Sequence, residues 1–180
     1  MRVSEQEPNT ASFEDLAIPL FDQLYNFAQW LTQDRTEAED LVQETFAKAL
    51  RGFSSFRAGT NFRAWIYRIL RNSFLSSRTG LKTMVALDEE GSIELEAENP
   101  TPEVGLIEQA NREMVQRALE RLPVPFREIL LLCEVEEMSY QEIAETLSIP
   151  MGTVMSRLSR ARKALRIDLL AKGEGARHGV

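Results

Sequence analysis

The residues best able to do chemistry in this chain are its arginines and lysines, which are gathered into two blocks. Residues 57–82 contain six basic side chains and no acidic one. Residues 151–172 contain six basic side chains opposed only by Asp168. Guanidinium and ammonium groups bind phosphate oxygens, and a local basic surface attracts a polyanion even in a chain whose net charge is -7. The pattern therefore predicts two surfaces that contact nucleic-acid phosphates.

An acidic segment separates the two basic blocks. Residues 87–100 carry six carboxylates and no basic side chain, and residues 34–44 are acidic as well. For any one of these runs the alternative interpretation is a solvated surface without a ligand. Two basic blocks with an acidic one between them favour two phosphate contacts, joined by a segment that stays away from phosphate.

Side chains suited to catalysis are few. Cys133 is the only cysteine and lies in the apolar run 129–133, so we expect a buried structural thiol and no internal disulfide. His178 is the only histidine and lies in a glycine-rich tail, which is a poor place to hold a general base. The sequence offers no metal-ligand cluster or phosphate-binding loop. We therefore predict no enzyme, no cofactor and no metal site.

The elements that must position these side chains are helical nearly throughout, beginning with two helices in the first third of the chain. Ser12 can cap the first helix, which Pro19 should kink or restart. Thr36 and Glu39 form a capping box for the second helix, which Gly52 should end.

A loop at residues 54–61 precedes a third helix with one apolar and one basic face. Trp65 belongs to the apolar face and is expected in the core. For Tyr67 the spacing allows two roles, packing in the protein or stacking on a DNA base. The apolar face consists of Phe62, Trp65, Ile66, Ile69 and Leu70. The basic face carries Arg63, Arg68, Arg71 and Asn72.

Helical spacing resumes after a stretch typical of a linker. Residues 80–100 are poor in apolar side chains and rich in Gly, Asp and Glu, and fully extended they would reach about 70 Å. That reach is about two turns of duplex DNA. Thr101 and Pro102 can open the next helix, which Pro123 and Pro125 should break.

The most specific local pattern is a short helix, a tight turn and a longer basic helix. After an apolar helix at 126–135, residues 139–142 form a capping box, and residues 148–150 can turn the chain. Pro150 stands where a Ser or Asp cap would be expected. The long helix has a buried stripe of Val154, Leu158, Ala161 and Leu165. Its opposite face shows Met155, Ser156, Ser159, Arg160 and Lys163. This is the helix-turn-helix arrangement, whose second helix enters the DNA major groove; a three-helix protein that does not bind DNA is the alternative.

These observations define the expected fold class and domain organisation. We predict an all-α protein of two small helical domains, at residues 12–79 and 101–171, joined by a flexible acidic linker at 80–100. The C-terminal domain contains the helix-turn-helix. No stretch approaches the roughly 20 apolar residues of a membrane span, and residues 1–11 lack the apolar centre of a secretory signal. We therefore expect a cytoplasmic protein.

Five short motifs, spaced along most of the chain, carry a family resemblance. They are AEDLVQETF at 38–46, FRAWIYRILRN at 62–72, LP at 122–123, SYQEIA at 139–144 and GTVMSRLSRAR at 152–162. In order and spacing they resemble the extracytoplasmic function (ECF) sigma factors of the sigma-70 family. The resemblance covers about residues 12–170. It implies a transcription initiation factor that binds core RNA polymerase, recognises the minus-ten and minus-thirty-five promoter elements and supports promoter melting.

The resemblance also implies a role for each half of the chain. Asp40, Gln43 and Glu44 would contact the clamp helices of the polymerase's largest subunit. The loop at 56–61 and the helix after it would capture the minus-ten element and hold a base flipped from the non-template strand. Flipping costs a few kcal/mol, and each stacked base returns about 1 to 3 kcal/mol. The residues implied for this element are Arg57, Thr60, Asn61, Arg63, Tyr67, Arg68, Arg71 and Asn72.

The second basic helix would read the minus-thirty-five element. Met155 stands where the family often has a basic residue. The residues implied for this element are Thr153, Met155, Ser156, Arg157, Ser159, Arg160 and Lys163. The resemblance further implies an anti-sigma protein as a partner.

Two alternatives come from other classes of protein. A DNA-binding response regulator has a similar helix-turn-helix, but it needs an α/β receiver domain, and the first half shows no strand pattern. A helical adaptor that binds only proteins would leave both basic surfaces solvated, and it predicts no promoter-specific transcription with core polymerase.

Overall fold

The computed structural model describes residues 11–79 and 112–175, in which every regular element is a helix. The all-α prediction is confirmed for these residues. Among them, no helix is both long enough and apolar enough to cross a membrane. The predicted linker at 80–100 and the predicted helix start at Thr101 and Pro102 lie outside the described residues.

Residues 11–79 contain four α-helices and two short 3-10 turns. The helices are α1 (Phe13–Ala17), α2 (Phe21–Thr32), α3 (Arg35–Gly52) and α4 (Phe62–Thr79), with 3-10 turns at Ile18–Leu20 and Phe53–Ser55. Ser12 caps α1 in a reciprocal capping box with Asp15, as predicted. Pro19 lies in the first 3-10 turn, so the predicted restart of the helix is confirmed.

The predicted capping box of α3 is wrong. Asp34, and not Thr36, is the N-cap, and its side chain accepts a hydrogen bond of 2.9 Å from the backbone N–H of Glu37. Glu39 instead forms an exposed ion pair with Arg35 one turn away. An Asp cap is as favourable as a hydroxyl cap. The earlier residue therefore starts the helix, and Thr36 falls inside its first turn.

The buried face of α4 differs in part from the predicted one. Phe62, Ile66 and Leu70 are buried as predicted, but Trp65 and Ile69 are only half-buried. Trp65 packs on a cluster of aromatic rings formed by Phe13, Phe46, Phe53, Phe56 and Phe62. This cluster covers the loop that leads into α4. The loop and the helix are therefore held as one unit.

Four further α-helices lie within residues 112–175. They are α5 (Arg112–Arg121), α6 (Val124–Leu130), α7 (Tyr140–Leu147) and α8 (Met151–Gly175). Pro123 ends α5 as predicted, but Pro125 lies inside the first turn of α6, where a missing N–H costs nothing. The predicted helix at 126–135 begins earlier and changes to a π-helical turn at Leu131–Val135.

The helix-turn-helix prediction is confirmed in its local details. Ser139 and Glu142 form the predicted reciprocal capping box at the start of α7. Ser148 ends α7 in the left-handed conformation with φ 55°, which reverses the chain into α8. Pro150 precedes α8 and accepts backbone hydrogen bonds from Thr153 and Val154. The predicted stripe of Val154, Leu158, Ala161 and Leu165 is buried.

The two halves pack against each other around one shared hydrophobic core, with α4 against α7 and α2 against α6. The largest fully buried side chains come from both halves, including Tyr67, Phe74, Ile129 and Leu132. In this arrangement carboxylates of the second half find partners on α4 and the residue before it. Two domains joined by a flexible acidic linker stay a prediction, because residues 80–100 lie outside the described residues.

Candidate nucleic-acid interface

The residues predicted for the minus-ten element lie on α4 and the loop before it, and the structure divides them into two groups. Four are exposed, namely Arg57, Thr60, Arg68 and Asn72. The other four are half-buried or buried and contact the second half, namely Asn61, Arg63, Tyr67 and Arg71.

The loop before α4 is organised by its own side chains. The Thr60 hydroxyl donates to the carbonyl of Arg57 at 2.7 Å, and Gly59 adopts φ 84°, which favours glycine. The Asn61 side-chain oxygen accepts from the backbone N–H of Ala64 at 3.0 Å and so caps α4. Its amide donates to Glu142 of α7 at 3.1 Å. Asn61 thus links the start of α4 to the start of α7.

Arg63 and Tyr67 both bind Glu136, which follows the π-helical turn. The Tyr67 hydroxyl donates to Glu136 Oε2 at 2.6 Å, and Arg63 Nη2 donates to the Glu136 carbonyl at 2.5 Å. Burial, followed by the Glu136 carboxylate, raises the pKa of Tyr67, so its phenol stays a donor. Tyr67 is 0% exposed. In this arrangement the Tyr67 ring therefore packs in the core and is not available to stack on a base.

Arg71 makes the strongest polar contact between the halves. Its Nε and Nη2 donate to the two carboxylate oxygens of Glu128 at 2.7 and 3.0 Å, a bidentate pair. The Glu128 side chain is 1% exposed. Burial raises the pKa of Glu128, and Arg71 opposes that rise. Because an unpaired buried charge is costly, loss of Arg71 would destabilise this contact by about 3 to 5 kcal/mol.

Arg127 is a second link between the halves, this time through backbone carbonyls. Its guanidinium donates to the Leu119 carbonyl at 2.9 Å and the Leu122 carbonyl at 3.1 Å, which fixes the turn between α5 and α6. Its Nη1 also reaches the Leu31 carbonyl in the last turn of α2 at 3.1 Å. A cation is favourable at the C-terminal end of a helix. Arg127 therefore joins three helix ends.

Sequence reasoning missed the carboxylates and the arginine that make this contact. A signal was present, because Arg127 and Glu128 are charged residues inside an apolar helical run, and charges on a buried face are almost always paired. The capping box identified Glu142 but not its second partner. For Glu136, which follows a π-helical turn, no sequence pattern indicates which way the side chain points.

The residues predicted for the minus-thirty-five element lie on the outer face of α8. Met155, Ser156, Ser159, Arg160 and Lys163 are exposed, and Met155 keeps 52% of its surface accessible. The polar contacts found for Ser156 and Arg160 lie within the helix itself, to the carbonyls of Thr153 and Ser156. This surface is open to a ligand along more than two turns of helix.

Of three other side chains in this region, two lie nearer the core and the third, Arg162, is exposed. Thr153 and Arg157 are half-buried, and the charge of Arg157 acts on the buried Glu128 carboxylate. Arg162 pairs with Glu134 at 2.7 Å and donates to the Cys133 sulfur at 3.6 Å. Cys133, predicted to be a buried structural thiol, is half-buried and packs against the core, and burial followed by Glu134 raises the pKa of its thiol.

The residues predicted to contact polymerase share one exposed face of α3. Asp40, Gln43 and Glu44 are all exposed, and Glu44 forms an ion pair with Lys48 at 2.5 Å. The opposite face of α3 is buried through Ala38, Leu41, Val42, Thr45 and Ala49. In the parts of the chain that the structure describes, no group of three His, Cys, Asp or Glu side chains could hold a metal ion.

Two protein families match this chain, and each matches one half. Sigma-70 region 2 matches residues 20–82, which contain α2, α3 and α4. Sigma-70, region 4 matches residues 112–165, which contain α5 to α7 and the part of α8 up to Leu165. The two matches together cover most of the described chain.

Individual relatives agree with this assignment. The ECF RNA polymerase sigma factor SigE of Mycolicibacterium smegmatis is 39% identical over 163 residues, which are 89% of this chain and 62% of SigE. EcfG of Rhodopseudomonas palustris is 34% identical over 166 residues, which are 92% of this chain and 90% of EcfG. The chain thus spans less than two thirds of SigE and most of EcfG.

A solved structure has the same fold. The sigma factor RpoE from Bartonella quintana, crystallised in complex with the anti-sigma factor NepR, is similar with a TM-score of 0.66 and 32% sequence identity. The similarity covers 87% of this chain and 97% of RpoE. This chain belongs to the ECF sigma factors of the sigma-70 family. Members of this family are not enzymes; they serve transcription initiation through regions 2 and 4.

Proposed function

We propose that this chain directs core RNA polymerase to promoters by holding the minus-thirty-five element on α8 and the minus-ten element on α4 and its preceding loop. The observation that carries the proposal is α8. Its inner stripe is buried, while its outer face presents a row of polar and basic side chains to solvent. A helix of this kind in a helix-turn-helix reads base edges in the major groove.

On α8 the base-reading role falls to Arg160, with Ser156 and Ser159 beside it. An exposed guanidinium can donate two parallel hydrogen bonds to guanine, which discriminates against other bases by about 1 to 3 kcal/mol. Lys163 and Arg157 are assigned to phosphate contacts, which add affinity without sequence preference. Thr153 and Met155 complete the surface near the start of the helix.

On α4 and its loop, the proposed minus-ten surface combines phosphate contacts with capture of a flipped base. The exposed Arg57, Arg68 and Asn72 support this role, together with Thr60 in the loop. Asn61, Arg63, Tyr67 and Arg71 join them once the second half moves away. Melting then needs no ATP hydrolysis, because stacking and hydrogen bonds to the flipped base offset the cost of flipping.

Two protein partners belong to the proposal. The exposed acidic face of α3, with Asp40, Gln43 and Glu44, is assigned to the clamp helices of the largest polymerase subunit. An anti-sigma protein is the second partner, supported by the complex of the similar RpoE with NepR. We also propose two domains, at 12–79 and 101–171, joined by a flexible acidic linker at 80–100. The composition of residues 80–100 supports this division. A factor that acts on core polymerase works in the cytoplasm.

The test is run-off transcription with purified core polymerase and the full chain on a promoter library. We expect selection of a two-part promoter whose upstream element depends on α8. Ser156→Ala/Arg160→Ala should lose selection of the upstream element, and Gln116→Ala, an exposed change on α5, should not. Transcription no more promoter-specific than that of core polymerase alone would contradict the proposal and favour a protein-binding adaptor.

A further inference from the structure

Lys48 contacts two helices to which different roles are assigned. Its ammonium group donates to Glu44 Oε1 at 2.5 Å, and Glu44 belongs to the exposed face of α3 that is assigned to polymerase. The same ammonium donates to the hydroxyl oxygen of Ser73 on α4 at 3.0 Å. Ser73 directly follows Asn72, which is assigned to the minus-ten element. One side chain therefore joins the proposed polymerase face to the proposed DNA-binding helix.

The contact between Lys48 and Ser73 is anchored in the protein interior. Ser73 is 2% exposed, and α4 packs on α3. A buried hydroxyl needs a hydrogen-bond partner, and the Lys48 ammonium supplies one across 25 residues of sequence. One contact of the ammonium is therefore fixed by the packing of two helices.

This anchor distinguishes Lys48 from the basic side chains of ordinary surface ion pairs. Two further pairs of described residues have the same spacing of four, Arg35 with Glu39 and Arg117 with Glu113. Their basic side chains are 80% and 69% exposed, whereas that of Lys48 is 41% exposed. Exposed pairs hold their side chains weakly, because water screens the charges and long side chains keep many rotamers. Lys48 loses part of that freedom before it meets its carboxylate.

An ordered carboxylate is a better binding group than a mobile one. The Glu44 side chain is 48% exposed, and without a partner it would sample several rotamers. A protein that binds a mobile carboxylate must first immobilise it, which weakens the complex. Two carboxylate oxygens offer about four lone-pair sites, so Glu44 can accept further hydrogen bonds while one ammonium holds it. Lys48 therefore presents Glu44 to a partner in a restricted orientation.

Glu44 differs in this respect from its neighbours on the same face. Asp40 and Gln43 are exposed like Glu44. Among these three side chains, and within the described residues, Glu44 is the one that an ion pair connects to α4. The proposed polymerase face thus has one contact whose orientation depends on another helix.

We propose that Lys48 is a positioning residue for the polymerase contact: anchored on Ser73, it holds the Glu44 carboxylate in the orientation in which polymerase binds it. This inference rests on the proposed assignment of Glu44 to polymerase. Lys48 acts through Glu44 and makes no contact with polymerase itself. Its effect on binding should therefore exist only while Glu44 is present.

The test is a double-mutant cycle on the affinity for core polymerase. Lys48→Met removes the ammonium and keeps an unbranched side chain that favours a helix. Equilibrium binding to purified core polymerase is measured for the full chain, labelled at its N-terminus, as wild type, Lys48→Met, Glu44→Gln and the double variant. We expect Lys48→Met to raise the Kd about three- to tenfold in the otherwise unaltered chain, and less than about twofold in the Glu44→Gln background.

Ser73→Ala tests the anchor without changing a charge. It removes the hydroxyl and leaves both Lys48 and Glu44 in place. We expect a smaller rise in the Kd for core polymerase than with Lys48→Met, again only while Glu44 is present. An unaltered Kd for Ser73→Ala would show that the anchor does not position Glu44, and it would overturn the inference.

Arg35→Met is the matched control. It also removes the cation of an ion pair with a spacing of four on α3, but its partner Glu39 is outside the assigned polymerase face. It should bind core polymerase as the wild type does. Circular dichroism and urea unfolding check that each variant is folded under the binding conditions.

The order of the Lys48 ammonium can be measured directly in the free chain. Nitrogen-15 relaxation of side-chain ammonium groups reports how far each one moves, and Lys163, exposed on α8, is the internal comparison. We expect the Lys48 ammonium to be more ordered than that of Lys163 in the wild type, and this difference to shrink in Ser73→Ala. Equal order of the two groups in the wild type would contradict the inference.

The possible failures are distinguishable. If Glu44→Gln binds core polymerase as tightly as the wild type, the assignment of Glu44 to polymerase fails, and this inference fails with it. If Glu44→Gln weakens binding but Lys48→Met does not, the positioning role alone is overturned. A loss of the same size for Lys48→Met in both backgrounds would overturn it as well, since a merely structural role of Lys48 does not depend on Glu44.

Discussion

Arginine serves two different purposes in this protein, and the surroundings of each side chain decide which. Arg71 is mostly buried and forms a bidentate pair with Glu128. Arg160 lies on the exposed face of α8, and the one polar contact found for it is to the Ser156 carbonyl at 3.4 Å. The same guanidinium fork can bind a carboxylate or a guanine edge. Arg160 is therefore placed to read a base, while Arg71 holds the two halves together.

Arg160→Ala should weaken promoter binding mainly at one base position of the upstream element. The expected loss there is about 1 to 3 kcal/mol, because the bidentate contact to guanine disappears. Holoenzyme affinities for promoters with each base substituted in turn provide the measurement. Lys163→Ala is the control and should weaken all sequences alike. A uniform loss for Arg160→Ala would contradict the assignment.

At the scale of elements, the helix-turn-helix depends on how α7 begins and ends. A helix of eight residues is too short to be stable alone, so its cap and its packing must hold it. The Ser139 hydroxyl accepts from the Glu142 N–H at 3.2 Å, and Glu142 Oε2 accepts from the Ser139 N–H at 2.8 Å. Ile143 and Leu147 bury the inner face. The cap and these two side chains together hold α7 in place against α8.

Ser139→Ala should lower the free energy of unfolding by about 0.5 to 2 kcal/mol, since one N-terminal backbone donor loses its acceptor. Urea unfolding followed by circular dichroism measures the change. Ser139→Thr keeps the hydroxyl and should lose less. Equal destabilisation by the two substitutions would show that the cap is not the cause.

At the scale of the whole molecule, acidic side chains are buried where the two halves meet. Glu128 is 0% exposed and Glu136 is 6% exposed. Burial raises the pKa of both carboxyls, against the opposing effects of Arg71 on Glu128 and of Tyr67 and Arg63 on Glu136. The closed core therefore carries a pH dependence that neither half would have alone.

Glu136 should make the stability of the closed chain decrease with rising pH, relative to Glu136→Gln. Its pKa is raised above the ordinary 4.5, so the folded chain holds this proton more tightly than the unfolded chain. The resulting stabilisation is fully present below the ordinary pKa and is lost as pH rises through the raised value. Urea unfolding of both proteins between about pH 4 and 7 measures the difference.

Glu145→Gln, an exposed change on α7, is the control for the removal of one carboxylate. It should not reproduce the pH-dependent difference. If the free energy of unfolding of the wild type rose with pH relative to Glu136→Gln, the pKa of Glu136 would be lowered and not raised in the folded chain. That result would contradict this prediction.

Much of the fold follows from short-range physics that can be seen in the sequence. Helix starts at Ser12 and Ser139 depend on a hydroxyl and a carboxylate three residues apart. The restart at Pro19 follows from a missing N–H. The cap of α3 was misplaced because Asp34 and Thr36 are both good caps, two residues apart, and local pattern does not choose between them.

The two proposed DNA-binding helices could also be predicted from the sequence, because amphipathic spacing separates an apolar face from a basic one. For α8 the amphipathic spacing was enough to predict which side chains are exposed, since Leu158 and Ala161 are buried and Arg160 is exposed. For α4 the spacing did not predict exposure, because half of the polar face is covered by another part of the chain.

Which polar groups are free depends on contacts between distant parts of the chain. Tyr67 meets Glu136 across 69 residues of sequence, Arg71 meets Glu128 across 57, and Asn61 meets Glu142 across 81. Local spacing carries no information about such distant partners. Amphipathic spacing and capping patterns were sufficient to identify most helices, their faces and the two basic surfaces. Which parts of those surfaces are open depends on the packing of one half on the other, because a buried charge must find a partner wherever the fold brings one.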